Sequence, residues 1–283
     1  MPDATCPRHE DDGGMERYAA LLATMQRLVR EPDAELAFAA DPRGFLAGFA
    51  LAAEDVEQLA ALGSPRLFLY RRHVRKTLAR GVRRQIPRTA ARLGDAFDAW
   101  IERWIEAEAP RSRYFRDAAF EMVAWAAPRW AEDAAVPDFL RDLARHELVR
   151  FDVAAAPRGD GANVGAEIEL DRAVHFDAAV RLVRYEHAVH RLDDDEASRD
   201  QPAREATALL VYRDDEHDVR FLELTPLCAA ILERLLVGET LRAAVVGGAA
   251  ALDHPLDGAV TQSTAAVLED LRARGALLGG AAP

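Results

Sequence analysis

From Glu16 to about Phe151 the pattern of apolar residues is helical throughout. Tyr18, Leu21, Leu22, Met25, Leu28 and Val29 recur at intervals of three and four, which puts them on one stripe of a helix. Such a stripe has to be buried against other elements, so this half of the chain must pack helix on helix. Breakers divide it into separate helices: Pro32, Asp41-Pro42, Gly63-Ser64-Pro65, Pro87, Gly94, Pro110, Pro128 and Pro137. Ser64 and Pro65 form a start signal, because serine can accept from a free N–H and the fixed φ of proline suits the first turn. All four tryptophans, Trp100, Trp104, Trp125 and Trp130, fall in this half. Trp100 and Trp104 are four apart and share a helix face, which favours a core role over a base-stacking one.

The period changes after residues 154–166, a stretch rich in Pro, Gly, Asp and Asn that reads as a linker. His175-Phe176, Val180 and Leu182 look like strand. Asp193 to Glu205 reads as an acidic surface loop. Two β-rich runs, Ala208 to Tyr212 and Val219 to Leu224, flank Asp214-Asp215-Glu216-His217, which is the pattern of a hairpin. Thr225-Pro226 starts a helix whose apolar face holds Leu227, Ile231, Leu232 and Leu235, and Gly238 ends it. A short helix follows from about Thr240, and a third runs from about Ala259 to Arg274, stopped by Gly275. A short strand at Ala276-Leu277-Leu278 would close the chain. The expected fold class is mainly α with a smaller α+β domain. Residues 1–15 are expected as a disordered tail, 16–153 as a helical domain, 154–166 as a linker and 167–280 as a hairpin-plus-three-helix, winged-helix-like domain.

The charge is unevenly spread. The 283 residues hold 36 Lys and Arg against 48 Asp and Glu, a net −12, yet residues 66–92 hold ten basic residues and no acid. Leu67, Tyr70, Val74, Leu78 and Val82 form an apolar stripe there, so the segment is an amphipathic helix docked by one side and cationic on the other. A basic patch in an acidic protein suits an anionic partner. Lys76 is the only lysine, which reads as compositional bias.

No catalytic constellation emerges. His146-Glu147 lacks the second histidine of a zinc-protease motif, and both are expected on the polar side of a helix. His187 and His190 would share a face if helical, leaving a metal site as one reading to test. Gly247-Gly248 is not followed by Lys-Ser or Lys-Thr, no GxSxG occurs, and Cys228 has no evident base. The two cysteines form no CxxC, and no run of about 18 apolar residues or signal-like start is present. A cytoplasmic binding or adaptor protein is the expectation.

The helical half resembles the N-terminal domain of the HvfC/BufC family, a domain often labelled as DNA-binding. The matching residues are Arg66-Leu67, Tyr70-Arg71-Arg72 with Val74 and Leu78, Pro87, Leu93-Gly94, Phe97 and Pro110-Arg111-Ser112. They continue with Phe139-Leu140 and Leu143-Ala144-Arg145-His146-Glu147-Leu148. His73 stands where the family commonly has Asn, and Ile86 where it has Phe. Ala179-Val180-Arg181-Leu182-Val183 resembles the region after that domain. The C-terminal part resembles precursor-recognition domains of PqqD type in its hairpin, Leu224-Thr225-Pro226, Ile231-Leu232 and Gly238-Glu239-Thr240-Leu241. Val237 departs from the Asp usual there.

The resemblance implies a non-catalytic partner of a multinuclear non-heme iron oxidative enzyme, in the modification of ribosomally made peptides. The iron would belong to the enzyme, with no cofactor on this chain. A precursor leader would add to an exposed strand edge, with Val219, Phe221, Leu222, Leu224, Leu268, Leu271 and Arg272 as candidate contacts. Tyr70, Arg71, Arg72, His73 and Arg75 are the candidate enzyme-docking residues. The competing readings are a DNA-binding transcriptional regulator and an independent enzyme with metal at His187 and His190.

Overall fold

The computed structural model describes residues 12–108, 110–157 and 167–281. Among these lie eleven α-helices and five strands, so the chain is mainly α with a smaller α+β part. Residues 1–11 of the expected tail lie outside the described residues, but α1 begins at Asp12 and runs to Arg30, so the end of that tail is helical. α2 (Ala34–Ala40) and α3 (Pro42–Ala47) follow, with Asp41 capping α3 through Gly44 N. α4 (Ala53–Gln85) is two helices joined at Gly63, whose positive φ marks the break, and Pro65 lies two residues beyond, as the start signal implied. Then come α5 (Pro87–Leu93), α6 (Ala96–Ala107), α7 (Ala118–Trp130) and α8 (Leu140–Ala155). Pro128 does not break α7 at once; it sits in the last turn, gives no bond to Ala124 O, and the helix ends two residues later at Trp130.

The chain divides into two compact units, Met1–Arg84 with Leu93–Pro128, and Gln85–Arg92 with Arg129–Pro283. This differs from the boundary expected at 154–166, of which 158–166 lie outside the described residues. α8 carries a helical pattern like its predecessors, but its apolar face is matched to a sheet. Leu143, Val149 and Val153 pack with Leu209 and Val211. Periodicity reports which face of a helix is apolar and not what covers it.

In the first unit the core gathers Leu28, Phe38, Leu46, Leu67 and Phe68. Trp100 and Trp104 are buried with Trp125, and the Trp100 and Trp125 rings meet edge to face at 6.1 Å, so the core reading holds. In the second unit β2 (Arg181–Tyr185), β3 (Thr207–Arg213) and β4 (Val219–Leu224) form an antiparallel sheet in the order β2-β3-β4. β1 (Val174–Phe176) pairs separately with β5 (Leu277–Gly280). α9 (Pro226–Leu236), α10 (Leu241–Ala250) and α11 (Gly258–Ala273) complete the unit. Strand alternation serves two cores. Leu210, Tyr212 and Leu224 join α9 and α11 on one face, while Leu209, Val211 and Tyr185 join α8 on the other. No helix among the described residues is long and apolar enough to cross a membrane.

Candidate functional site

A concavity of the second unit lies between β4 and α11, over α9. Its volume is about 600 Å³, within the usual range of ~300–1,000 Å³ for binding clefts. One wall is Leu222 and Leu224, the floor is Leu227, Cys228, Ile231 and Leu232, and the far wall is Val260, Thr264, Val267 and Leu268. Polar groups sit at the rim: Glu223, His254, Asp257 and Asp270. The walls are fixed by caps. Thr225 Oγ1 accepts from Cys228 N at 3.3 Å, and Asp257 Oδ1 accepts from Ala259 N and Val260 N at 3.0 Å each. Burial pushes the Cys228 thiol up to about 11, so it behaves as an apolar lining group near neutrality.

β4 is an outer strand of its sheet. The hairpin closes with Asp214 N donating to Asp218 O at 3.0 Å, and His217 takes the left-handed conformation this loop needs. Ladder bonds alternate from that closing pair, so Arg220, Leu222 and Leu224 bond to β3. The main-chain groups of Val219, Phe221 and Glu223 therefore point to the open edge. An edge with its polar groups unpaired is a template for another strand.

The sequence-based contacts divide accordingly. Leu222, Leu224 and Leu268 line the groove. Val219 and Phe221 offer only their backbone to the edge, for their side chains pack with the α8 core. Alternation makes one strand residue serve a single face, so both roles could not fall on the same side chains. Leu271 is fully buried in the core, one helical step past Leu268, and Arg272 is exposed on the last turn of α11, outside the groove lining. The floor residues Leu227 and Ile231 were legible as an apolar helix face, but not as groove.

His146 and Glu147 correct the expectation of a polar face: both are buried. Glu147 accepts from Arg88 N at 2.8 Å, Thr89 N at 3.0 Å and Thr89 Oγ1 at 2.6 Å, which caps α5. His146 lies 4.7 Å from the Phe221 ring and 5.8 Å from Tyr185, and its Nδ1 has no partner. Burial, with Arg88, His190 and Arg150 nearby, pushes its pKa down to about 3. His187 and His190 do not converge. His187 Nδ1 meets Asp142 at 3.2 Å, and His190 Nε2 meets Glu223 at 3.1 Å. Among the described residues, the group of ligand-type side chains close enough to share an ion is Asp214, Glu216 and Asp218. Arg220 already pairs with Asp214 at 2.5 Å.

In the first unit the candidate docking residues also divide. Tyr70, Arg72 and His73 are exposed. Arg71 and Arg75 are buried and turned inward, which corrects their assignment to a docking face. Arg71 Nη1 donates to Leu28 O at 2.8 Å and to Glu31 O, and Arg75 donates to Val29 O at 2.8 and 3.1 Å. Together they satisfy the carbonyls that the end of α1 leaves open. Arg75 also pairs with Glu102 and Glu106. Counting basic residues could not separate solvent cations from helix caps.

Residues 178–272, which run from before β2 through α11, match the family model described as the HvfC C-terminal domain. Over this segment the chain is similar to that domain. The matched segment contains all the residues that line the groove. The residue resemblance noted above rested mainly on the helical half, whereas this match falls on the C-terminal part. No curated protein matches the chain. An HvfC-type domain points to an accessory, partner role.

Proposed function

We propose that this chain is a non-catalytic partner that holds a ribosomally made precursor peptide for a multinuclear non-heme iron oxidative enzyme. The observation that carries the reading is the apolar groove lying alongside an open strand edge, inside the segment similar to the HvfC C-terminal domain. A leader lying on β4 would bond to the outward groups of Val219, Phe221 and Glu223, each bond contributing roughly 0.5–1.5 kcal/mol net. Its alternate side chains would enter the groove against Leu222, Leu224 and Leu268. Extended peptides suit this geometry because the backbone supplies affinity and the groove supplies selectivity. Iron and oxidation stay with the enzyme, and this chain binds no cofactor of its own. Binding peptide and enzyme together makes their encounter intramolecular, with an effective concentration on the order of mM for a short tether.

Proline at position 223 isolates the edge. It removes an outward N–H but leaves the β3 ladder intact, which edge strands tolerate. Glu223→Ala is the control, since both variants lose the contacts to His190 and Arg191. In fluorescence anisotropy with the labelled precursor leader, Glu223→Pro should bind about 2- to 12-fold more weakly than Glu223→Ala, the equivalent of one hydrogen bond. Equal affinity of the two variants would exclude strand addition at β4.

A further inference from the structure

The cations of α4 do not all serve the same purpose. Arg17, Arg27, Arg43, Arg72, Arg83 and Arg111 of the first unit each hold a carboxylate within ion-pair distance. Arg66, Lys76, Arg80 and Arg84 form no such pair among the described residues and are exposed. With Tyr70 and His73 they recur at three and four residues, so they share one face of α4. From Arg66 to Arg84 that face is about 27 Å long at 1.5 Å per residue. Leu69 and Tyr70 stand among the cations at 60% and 50% exposure.

A second basic segment is fixed beside it. Glu121 accepts from Arg111 N at 2.6 Å and Ser112 N at 2.8 Å, and Ser112 Oγ bonds Asp117 at 2.5 Å. These bonds hold the loop between α6 and α7 in one shape, with Tyr114 and Phe115 half exposed and Arg113 lying 5.0 Å over the Tyr114 ring. Gly81 of α4 explains how the loop is seated. A Cβ there would stand 2.3 Å from Cε1 and Cζ of Phe115, so the ring rests on the bare helix backbone. Glycine inside a helix is less favourable than alanine, and here it admits that ring.

We infer that the α4 face and the 110–117 loop, keyed together by Phe115 on Gly81, form one docking surface for an acidic face of the partner enzyme. This rests on the partner reading above and adds the surface and its chemistry. The unpaired cations call for negative charge opposite them. Leu69, Tyr70 and Phe115 beside arginines match the apolar and aromatic anchors of a protein interface better than a phosphate track. The net charge of −12 also opposes a long polyanion.

The test is surface plasmon resonance of the full chain against a multinuclear non-heme iron oxidative enzyme taken as its candidate partner, with leader affinity measured in parallel. Arg80→Glu with Arg84→Glu should raise Kd at least about tenfold, mostly through a slower on-rate, and flatten its salt dependence. Gly81→Ala keeps every cation and favours the helix, yet should weaken docking several-fold with helicity undiminished by circular dichroism. Phe115→Ala should do the same without touching α4. Leader affinity should stay unchanged in all three. Wild-type binding matched by every variant overturns this surface and leaves the partner reading standing, whereas no enzyme binding by the wild type overturns both. Tighter binding of random duplex DNA, lost on charge reversal, would assign the face to nucleic acid instead. Self-association lost in the same variants by ultracentrifugation would assign it to a second copy. Either result overturns the proposal.

Discussion

His146 should make the second unit acid-sensitive, and the size of the effect follows from its surroundings. The imidazole is 8% exposed, between Phe221 and Tyr185, with its Nδ1 unpartnered. Burial first, then Arg88, His190 and Arg150, lowers its pKa from 6.5 to about 3. A histidine so lowered binds its proton more weakly folded than unfolded. Its contribution to stability is therefore complete above pH 6.5 and is lost as pH falls toward 3. The slope is about 1.4 kcal/mol per pH unit in that window, and by pH 4 the loss is on the order of 3 kcal/mol. His146→Phe removes the titration and replaces a ring that makes no Nδ1 hydrogen bond. Urea denaturation of both proteins at half-unit steps from pH 8 to pH 4 isolates the residue, because every other titrating group is shared. The stability difference should move in favour of the variant as pH drops below 6.5. Parallel curves across that window would refute the assignment of His146 as a buried neutral base.

Arg71→Leu should destabilise the first unit by about 2–4 kcal/mol, since a buried charged donor to main-chain carbonyls is lost, whereas Arg80→Glu should leave Tm nearly unchanged. A calorimetric scan of both variants separates the capping arginine from the solvent one, and equal Tm losses would contradict the burial pattern. Cys228 should react slowly with iodoacetamide at pH 8, where a thiol at about 11 is on the order of 0.1% ionised, and more slowly still with leader bound. Mass spectrometry in a Cys6→Ser background reads this directly, and protection absent at saturating leader would place the peptide outside the groove.

The secondary structure was largely legible because its signals are local. Period-three-and-four spacing gave the helices, and Thr225-Pro226 gave the start of α9. The two β-rich runs flanking Asp214 to His217 gave β3 and β4 within a residue of their ends. The candidate site was legible only in part. Leu222, Leu224 and Leu268 were found because a hairpin and a helix imply a groove between them. The opposite orientation of Val219 and Phe221 was missed, because which strand face meets which helix depends on the register with β3.

The sequence alone determined the mainly α class, the hairpin, the limits of α9 and α11 and an acid-free basic segment. These follow from spacing, propensity and charge, which act over a few residues. Only the tertiary structure decided that α8 packs on the sheet, that Arg71 and Arg75 cap α1, and that β4 lies at an edge. It alone set the Phe115 ring on Gly81. Each of those depends on residues tens of positions apart being brought into contact, and burial there gives a side chain a role that its own neighbours in sequence do not encode.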